Sequence, residues 1–270
     1  MIYYSRKKTK IGIIGLGYVG GAVKNWFEKQ RNHYDLFFYD KDKKIGSVAE
    51  VNKADIIFVA VPTPFHEKGG GYDDSAVRES LKNIKDGKVI VLKSTILPGS
   101  SDKFQKQYPK KTIVYNPEFS VAKTARQDFL KPNHQIVGYT FKKQSKNWAP
   151  KILKILPKAP YGGIIKASEA EMVKYFANTF LAARVIFANQ IYDLCQKLGG
   201  IDYEVVKEWV GRDPRIGHSH FDIFSDGYRG YGGLCLPKDT KALIQLARKL
   251  NVDFDLLEKI EEINQKLQKI

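Results

Sequence analysis

Cys235 lies in a segment whose residues could support covalent catalysis. It follows two glycines, Gly232 and Gly233, and precedes Lys238 and Asp239, which open a predicted helix. A thiol close to a helix N-terminus and to cations ionises readily and is a competent nucleophile. Glycines leave a backbone that a ligand can approach closely. The segment therefore predicts a nucleophilic cysteine beside a ligand.

The segment Gly-Leu-Gly-Tyr-Val-Gly, from Gly15 to Gly20, has the spacing of a dinucleotide-binding loop. It follows a predicted strand and opens a predicted helix, and Asp40 ends the next strand, 20 residues after Gly20; this is the context that the fingerprint requires. Gly15 permits the tight turn, Gly17 lets the backbone reach the pyrophosphate, and Gly20 allows close helix–strand packing. Asp40 would bind the adenosine ribose and repel a 2′-phosphate, which favours NAD over NADP. The alternative interpretation of the segment is a glycine turn that binds no ligand. The predicted NAD contacts here are Gly15, Gly17, Tyr18, Val19, Gly20 and Asp40.

Three further segments lie at the carboxyl ends of predicted strands, where open α/β sheets bind ligands. They are 61–64 with Pro62 and Thr63, 93–99 with Thr95, and 116–119 with Glu118 and Phe119. Each alone is an ordinary loop, but three on one edge beside a dinucleotide loop predict a site. Lys174 and Asn178, four residues apart in a predicted helix, share one helix face. A lysine at such a position is ordinarily a solvated charge.

The elements that must position these residues alternate in the first half of the chain. Apolar runs predict strands at 10–14, 36–39, 56–61, 89–92 and 112–115, with helices at 22–30 and 75–84. Alternating strands and helices predict an α/β fold with a Rossmann-like, doubly wound parallel sheet. Pro157, Pro160 and two glycines at 162–163 mark a boundary. We therefore predict an NAD-binding domain over 1–163 and an all-α domain over 164–270.

The second half begins with a helix predicted from Ser168 to Leu198, about 46 Å long. Ser168 and Glu171 have the spacing of a capping box, with serine at the N-cap and glutamate at N3. Shorter helices are predicted at 203–210, 238–250 and 255–269, the last with an apolar stripe that either packs on the core or docks a further subunit. The long helix is apolar around much of its surface, which is typical of a buried or dimer-forming spine. The spine residues are Val173, Phe176, Phe180, Leu181, Val185, Phe187 and Ile191, and those of the stripe are Leu256, Leu257, Ile260, Ile263, Leu267 and Ile270.

The composition excludes several classes of protein. With 43% hydrophobic and 27% charged residues in 270, the chain is globular rather than disordered or fibrous. Its longest apolar run is far below the ~18 residues of a membrane span, and no signal peptide is visible. The net charge of +16 is dispersed along the chain, which favours a solvated surface over nucleic-acid binding. The chain has two cysteines, too few for a disulfide framework, which indicates a reducing compartment and thus the cytoplasm. Cys195 falls in an apolar helix and is predicted to be structural. His218 and His220 have no third ligand in view, so no metal is predicted.

These motifs, taken in order, resemble the nucleotide-sugar dehydrogenases of the UDP-glucose/GDP-mannose dehydrogenase family. The resemblance runs from about Ile11 to Leu243. Besides the glycine loop, it rests on the Ser-Thr and Pro-Gly pairs of 94–99, on Asn-Pro-Glu-Phe at 116–119 and on Asp-Phe-Leu-Lys-Pro at 128–132. It also rests on the Lys-x-x-x-Asn of 174–178, on Arg-Ile-Gly at 215–217 and on Gly-Gly-x-Cys-x-x-Lys-Asp at 232–239.

The resemblance implies a four-electron oxidation of a sugar-nucleotide primary alcohol to a uronic acid, with two NAD reduced in succession and UDP-glucose as the expected substrate. Cys235 would form a thiohemiacetal and then a thioester, while Lys174 and Asn178 stabilise the oxyanion. Asp239, with Thr95 and Glu118, would orient or deprotonate water. The implied NAD contacts also include Pro62, Thr63, Thr95 and Lys238. The implied substrate contacts are Glu118, Phe119, Lys174, Asn178, Arg215, Gly232 and Gly233, with Lys238 also holding the sugar.

The chain departs from the family pattern in three places. Ala122 stands where the family carries a second acidic residue, and the segment between Asp40 and Ile56 is shorter than usual. The family's third domain, which grips the nucleotide diphosphate, has no counterpart before Ile270, so we expect a form without it.

Four functions are open at this point. The favoured one is a minimal nucleotide-sugar dehydrogenase that forms a homodimer through the long helix. A dehydrogenase for a smaller hydroxy acid would not need Cys235 in its glycine-rich loop. A non-catalytic NAD-binding dimer is the third. The fourth is one half of a split enzyme with a separate nucleotide-binding subunit.

Overall fold

The structure, a computed structural model, describes residues 8–120, 124–225 and 227–269. The departure at Ala122 and the end of the apolar stripe at Ile270 lie outside these residues. The chain divides into two compact units: unit 1 is Met1–Pro64 with Asp73–Lys174, and unit 2 is Phe65–Tyr72 with Tyr175–Ile270. This division differs from the predicted boundary at 163–164, because it falls within a helix and assigns residues 65–72 to the second unit.

The strands are β1 (Thr9–Ile14), β2 (Tyr34–Asp40), β3 (Ile45–Gly46), β4 (Ile56–Val59), β5 (Phe65–His66), β6 (Gly71–Tyr72), β7 (Val89–Leu92), β8 (Thr112–Tyr115), β9 (His134–Tyr139), β10 (Tyr161–Lys166), β11 (Phe224–Ser225) and β12 (Tyr228–Arg229). The helices are α1 (Tyr18–Glu28), α2 (Val48–Val51), α3 (Ser75–Asn83), α4 (Ser100–Gln107), α5 (Ala125–Leu130), α6 (Lys143–Ile155), α7 (Ala167–Leu198), α8 (Tyr203–Gly211), α9 (Leu236–Lys249) and α10 (Asp255–Leu267).

Unit 1 is built on a sheet that has eight strands within the described residues, in the order β10-β9-β8-β7-β4-β1-β2-β3. The neighbours β8, β7, β4, β1 and β2 are all parallel, which confirms the Rossmann-like sheet predicted from the sequence. Because β1 pairs with β2 on one side and β4 on the other, the strand order reverses at β1, where such sheets bind ligands. The sheet is not parallel throughout, since β3 runs antiparallel to β2 and β9 antiparallel to β8.

The central strands are buried on both faces. In β4, Ile56 and Phe58 join one hydrophobic cluster, whereas Ile57 and Val59 join the cluster on the opposite face. A strand covered on both sides has no polar face and therefore appears in the sequence as a continuous apolar run. This is why β4, β7 and β8 could be located from the sequence alone.

Unit 2 is mainly helical, and it also contains two short hairpins. The predicted helical domain with a long helix is confirmed. The hairpin β11–β12 is a short addition to it, and the hairpin β5–β6 comes from residues before the predicted 164–270. Cys195 is buried in a small cluster with Tyr203 and Ile223, as expected of a structural cysteine. None of the helices in the described part of the chain is both long and apolar enough to cross a membrane.

The long helix α7 has 32 residues and leaves much of its apolar surface uncovered. Phe176 is 68% exposed, and Phe180 and Phe187 are also exposed, whereas Val185 is buried. The spine residues are therefore not buried as a set within the chain, and the buried alternative of the prediction is wrong for the phenylalanines. On α10, Leu257 is buried and Leu256 is exposed, so the predicted stripe packs only in part.

The predicted capping box at the start of α7 is wrong. The helix begins at Ala167, directly after β10, so that Ser168 lies inside it. Glu171 is fully buried instead, and its carboxylate accepts hydrogen bonds from the backbone N–H of Gly99 (2.6 Å) and of Ser101 (2.8 Å). These N–H groups open α4, so Glu171 caps a different helix from the one that carries it. The start of α7 thereby holds the end of the 93–99 loop.

Burial raises the pKa of Glu171 to about 7, against the opposing effect of the hydrogen bonds from Ser101 and Gly99. The folded protein therefore binds this proton more tightly than the unfolded chain does. A group of this kind stabilises the fold at low pH, and its contribution is lost as the pH rises from about 4.5 to about 7.

We predict that the free energy of unfolding falls by roughly 3 kcal/mol more in the wild type than in Glu171→Gln between pH 4.5 and pH 8, because only the wild type must release this proton. Urea denaturation at a series of pH values measures the difference. Glu169→Gln is the control, since Glu169 is exposed on the same helix turn and accepts only from the Lys166 N–H among its described hydrogen bonds. Parallel curves for the wild type and Glu171→Gln would contradict the prediction.

Candidate active site

The glycines between β1 and α1 have two different structural roles. A Cβ on Gly15, whose φ is +83°, would lie 2.6 Å from the carbonyl oxygen of Ala60, and a Cβ on Gly20 would lie 1.8 Å from that of Gly15. The fold itself requires both. Gly17 is the N-cap of α1 with an ordinary φ of −67°, and a Cβ there would meet nothing within 4 Å. Only a ligand would require glycine at this position, which fits a pyrophosphate lying on the free N–H groups at the start of α1.

Asp40 ties the glycine loop to the end of β2. Its carboxylate accepts from the backbone N–H of Leu16 (2.6 Å) and of Lys43 (2.8 Å), and the Lys43 ammonium donates to the Leu16 carbonyl (2.5 Å). Burial opposes ionisation of Asp40, but these two N–H groups and the charge of Lys43 outweigh it and hold the pKa below its ordinary value. Asp40 is thus an anion beside the loop, where it can accept from a ribose hydroxyl. Tyr18 at the start of α1 is exposed, and Val19 is half-buried.

The loops after β4, β7 and β8 meet at one edge of the sheet, as their position in the sequence predicts. The Thr63 hydroxyl donates to the Thr95 carbonyl (2.7 Å), and the Ser94 hydroxyl donates to the Val61 carbonyl (2.6 Å). The N–H of Asn116 donates to the carbonyl of Leu92 at 2.8 Å. Pro62 is exposed beside them. Unit 1 therefore places Thr63, Thr95 and the start of the 116–119 segment together.

A buried lysine organises the third of these loops. Lys93 is 2% exposed, and its ammonium donates to Asn116 Oδ1 (2.8 Å) and lies 3.3 Å from the Glu118 carboxylate. Burial lowers the pKa of Lys93, the charge of Glu118 raises it, and the nearby charge of Lys174 lowers it further. The Lys174 ammonium lies 5.5 Å from the centre of the Phe119 ring. Glu118, Phe119 and Lys174 are thus brought together in unit 1.

In unit 2, Cys235 is exposed and forms the N-cap of α9. Asp239 lies one turn into that helix and is 1% exposed, with its carboxylate accepting from Asn178 Nδ2 (2.6 Å) and from the Lys238 ammonium (2.5 Å). A buried carboxylate needs such donors. Cys235, Lys238, Asp239 and Asn178 are therefore brought together in unit 2.

The remaining predicted contacts in unit 2 lie in loops. The Arg215 guanidinium is exposed and pairs with Asp213 at 2.6 Å, and that carboxylate accounts for its described hydrogen bonds. A Cβ on Gly232 would lie 2.3 Å from the Tyr228 hydroxyl, so packing requires this glycine, whereas Gly233, with a φ of +73°, faces open space. Among the described residues, no group of three or more His, Cys, Asp or Glu side chains could hold a metal ion.

Sequence reasoning missed several residues of these clusters. Lys93 had a signal, because a lysine that directly follows four apolar strand residues has little chance of reaching solvent. Lys43 had none beyond its position three residues after Asp40. Tyr231, Glu261 and Asn264, which hold the segment before Cys235, could not be found, since the contacts join residues 30 or more apart in the chain.

Two sequence models of one protein family match the chain. Residues 44–156 match the sequence model of the NAD-binding domain of the UDP-glucose/GDP-mannose dehydrogenase family, and residues 168–266 match that of its central domain. The chain belongs to the UDP-glucose/GDP-mannose dehydrogenase family. Unit 1 is accordingly an NAD-binding domain. The glycine loop at 15–20 lies before the matched residues. Its assignment to the cofactor therefore rests on its own geometry and not on the sequence match.

The chain is similar to longer members of this family. It is 34% identical over 228 residues to UDP-glucose 6-dehydrogenase TuaD of Bacillus subtilis, covering 80% of this chain and 47% of TuaD. The structure of a UDP-glucose dehydrogenase from Pyrobaculum islandicum superimposes with a TM-score of 0.84 at 26% identity, covering 98% of this chain and 70% of that one. The chain thus spans about half the length of the curated relatives it matches.

A protein that the chain covers almost completely also has this fold. The 3-hydroxyisobutyrate dehydrogenase of Mycobacterium tuberculosis superimposes with a TM-score of 0.75, covering 96% of this chain and 93% of that chain. At 16% identity this likeness concerns the fold alone.

We predict that Gly17→Ala weakens NAD binding about tenfold or more, a loss of ~1.4 kcal/mol, with little effect on thermal stability, because its methyl group would occupy ligand space only. Gly20→Ala is the matched comparison. Its methyl group strikes the Gly15 carbonyl oxygen, so we expect it to lower the free energy of unfolding by about 3 kcal/mol. Calorimetric NAD titration and thermal unfolding of both variants measure the two effects. Equal NAD affinity for Gly17→Ala and the wild type would show that the pyrophosphate does not lie there.

Proposed function

We propose that this protein is an NAD-dependent nucleotide-sugar 6-dehydrogenase that oxidises a sugar-nucleotide primary alcohol to a uronic acid, with UDP-glucose as its substrate. The observation that carries the proposal is the arrangement at the start of α9. An exposed thiol lies at the helix N-terminus, and one turn away a buried carboxylate, Asp239, is held by Asn178 and Lys238. Hydride transfer to a small hydroxy acid gives no role to such a thiol.

Cys235 supplies the nucleophile in this proposal. Its thiolate adds to the carbonyl carbon of the sugar aldehyde and forms a thiohemiacetal, whose oxidation gives a thioester. Water then cleaves the thioester to the carboxylate and returns the free thiol.

The side chains around these steps have distinct tasks. Lys174 and Asn178 would donate to the oxygen that becomes negative when the carbonyl is attacked. Asp239 would hold Asn178 and Lys238 in place and, with Thr95 and Glu118, would orient or deprotonate the attacking water. Phe119, Arg215, Gly232 and Gly233 would contact the substrate, with Lys238 also holding the sugar.

NAD, when bound, accepts one hydride in each of the two oxidations. Gly17 and the first turn of α1 would hold its pyrophosphate, and Asp40 would accept from the adenosine ribose. The loops with Pro62, Thr63 and Thr95 lie on the same edge of the sheet of unit 1 and would border the bound cofactor. A thiol that must stay reduced supports the cytoplasm as the compartment.

A homodimer is the proposed assembly. Phe176 and Phe180 are exposed on α7 and stacked on each other, with ring centres 6.2 Å apart and planes 3° apart. Phe187 extends the same helix surface. Exposed aromatic rings on a long helix favour burial against a second copy of that helix.

A second candidate is a protein that binds NAD but needs a separate nucleotide-binding subunit to oxidise a sugar. The chain spans about half the length of TuaD. A non-catalytic NAD-binding dimer is the limiting form of this candidate.

We predict that purified protein forms two NADH per UDP-glucose, because an alcohol becomes a carboxylate in two oxidations. Cys235→Ser should form at most one and release no uronic acid, since the first oxidation needs no thiol. Cys195→Ser is the control, because Cys195 is buried away from solvent, and it should keep the wild-type ratio. NADH absorbance and chromatography of the sugar nucleotide measure both products.

The substrate panel should contain UDP- and GDP-sugars and 3-hydroxyisobutyrate. Absence of NADH with every compound, from protein that still binds NAD, would overturn the stand-alone dehydrogenase and favour the second candidate. NADH with the hydroxy acid alone would overturn the nucleotide-sugar assignment.

We predict that light scattering after size-exclusion chromatography gives twice the mass of one chain. Phe180→Glu should weaken the dimer by about 2 kcal/mol, roughly 30-fold in the dissociation constant, because it places a charge among buried rings. Leu256→Glu, at an even more exposed apolar position on α10, should leave the mass unchanged. A monomeric wild type would contradict the proposed assembly.

A further inference from the structure

The segment that leads to Cys235 is fastened to the last helix of the chain. Asn264 on α10 makes two hydrogen bonds to the backbone of Tyr231: its Oδ1 accepts from the Tyr231 N–H (2.7 Å), and its Nδ2 donates to the Tyr231 carbonyl (2.9 Å). Gln268 Nε2 donates to the same carbonyl at 2.7 Å. Asn264 is 2% exposed, and Tyr231 is buried. Tyr231, four positions before Cys235, is thus held by both its backbone N–H and its carbonyl, as a residue in a β-sheet is held by a neighbouring strand.

The side chain of Tyr231 makes a second attachment to the same helix. Its hydroxyl donates to Glu261 Oε2 at 2.6 Å, and Glu261 is itself buried. Gln265 Nε2 donates to Glu261 Oε1 (3.0 Å), and the Lys241 ammonium of α9 lies 3.4 Å from that oxygen. Burial raises the pKa of Tyr231, with the bond to Glu261 adding to the effect, so the phenol keeps the proton that it donates.

The glycines on either side of Tyr231 both lie close to neighbouring side chains, and the first of them faces α10. Gly230 has a φ of +78°, and a Cβ there would lie 2.4 Å from Asn264 Oδ1. A Cβ on Gly232 would lie 2.3 Å from the Tyr228 hydroxyl. Close packing of the segment within its own unit therefore accounts for both glycines, and the φ of +73° accounts for Gly233.

Burying the polar side chains of α10 costs free energy unless each of them forms hydrogen bonds. Glu261 and Asn264 lie on the face that also carries the buried Leu257, Ile260 and Leu267. Apolar residues at these two positions would bind α10 to the unit equally well, whereas a buried polar network that is fully paired selects one geometry. The network converges on Tyr231, so the geometry that it selects is that of the segment before Cys235.

We propose that Tyr231, Glu261 and Asn264 form a latch by which α10 positions Cys235 at the N-terminus of α9. This inference rests on the proposed role of Cys235 as nucleophile. The three are positioning residues, because their described hydrogen bonds hold the segment before Cys235 to α10. Displacement of a nucleophile by about 1 Å costs on the order of a hundredfold in rate.

The test compares Tyr231→Phe, which removes only the hydroxyl, and Asn264→Leu, which removes both backbone bonds. Glu262→Gln is the control, since Glu262 is exposed on α10 and pairs with Lys259 and Lys266 instead. We expect the rate of aldehyde oxidation to fall about tenfold in Tyr231→Phe and further in Asn264→Leu. The rate of alcohol oxidation and the KM for NAD should stay within twofold, because the first oxidation needs no thiol. General loss of structure would slow both oxidations together.

A second measurement does not depend on dehydrogenase activity. The rate of alkylation of Cys235 by iodoacetamide at fixed pH, followed by peptide mass, should change about threefold in both latch variants, because the segment no longer holds the exposed thiol in one place at the start of α9. Unchanged alkylation in both folded variants would overturn the latch whether or not the wild type oxidises a sugar. A wild type without activity but with a changed alkylation rate in the variants would retain the latch and overturn only the proposed reaction. Equal slowing of the two oxidations would also overturn the latch.

Discussion

The energetic cost of burying a carboxylate shapes several of the segments that carry the proposed site residues. Asp40, Glu171, Asp239 and Glu261 are all buried, and each is paired with donors from another part of the chain. A buried charge without such partners would cost several kcal/mol, so the donors must lie where the carboxylate is. The segments that supply the donors are thereby held in one conformation.

The donors lie in or next to segments that carry the proposed site residues. Within unit 1, Asp40 holds the glycine loop at Leu16, and Glu171 holds the end of the loop that carries Thr95. Within unit 2, Asp239 holds Asn178 and Lys238, and Glu261 holds Tyr231. Family membership, the NAD-binding domain and this pattern of anchored loops together support the dehydrogenase proposal, although the chain spans about half of its curated relatives.

The glycines separate into two groups on steric grounds. Gly15, Gly20, Gly230 and Gly232 have backbone or side-chain atoms where a Cβ would be, so the fold requires them. Gly17 has an ordinary φ and faces open space, so a ligand would explain it best, whereas the φ of +73° at Gly233 itself favours glycine. Of these glycines, Gly17 therefore bears most directly on function.

The sequence by itself determined the elements whose signal is local. The apolar runs of β4, β7 and β8, the spacing of Gly15, Gly17 and Gly20 and the short motif around Cys235 are each contained within a few residues, because hydrophobic periodicity and turn chemistry act over that range. The tertiary structure decided the rest. The partner of Glu171 lies 72 residues away at Gly99, that of Tyr231 lies 33 residues away at Asn264, and β9 turned out antiparallel to β8. A carboxylate or an amide in a sequence carries no record of its donor, since hydrogen bonding depends on distance in space, and only folding brings the two together.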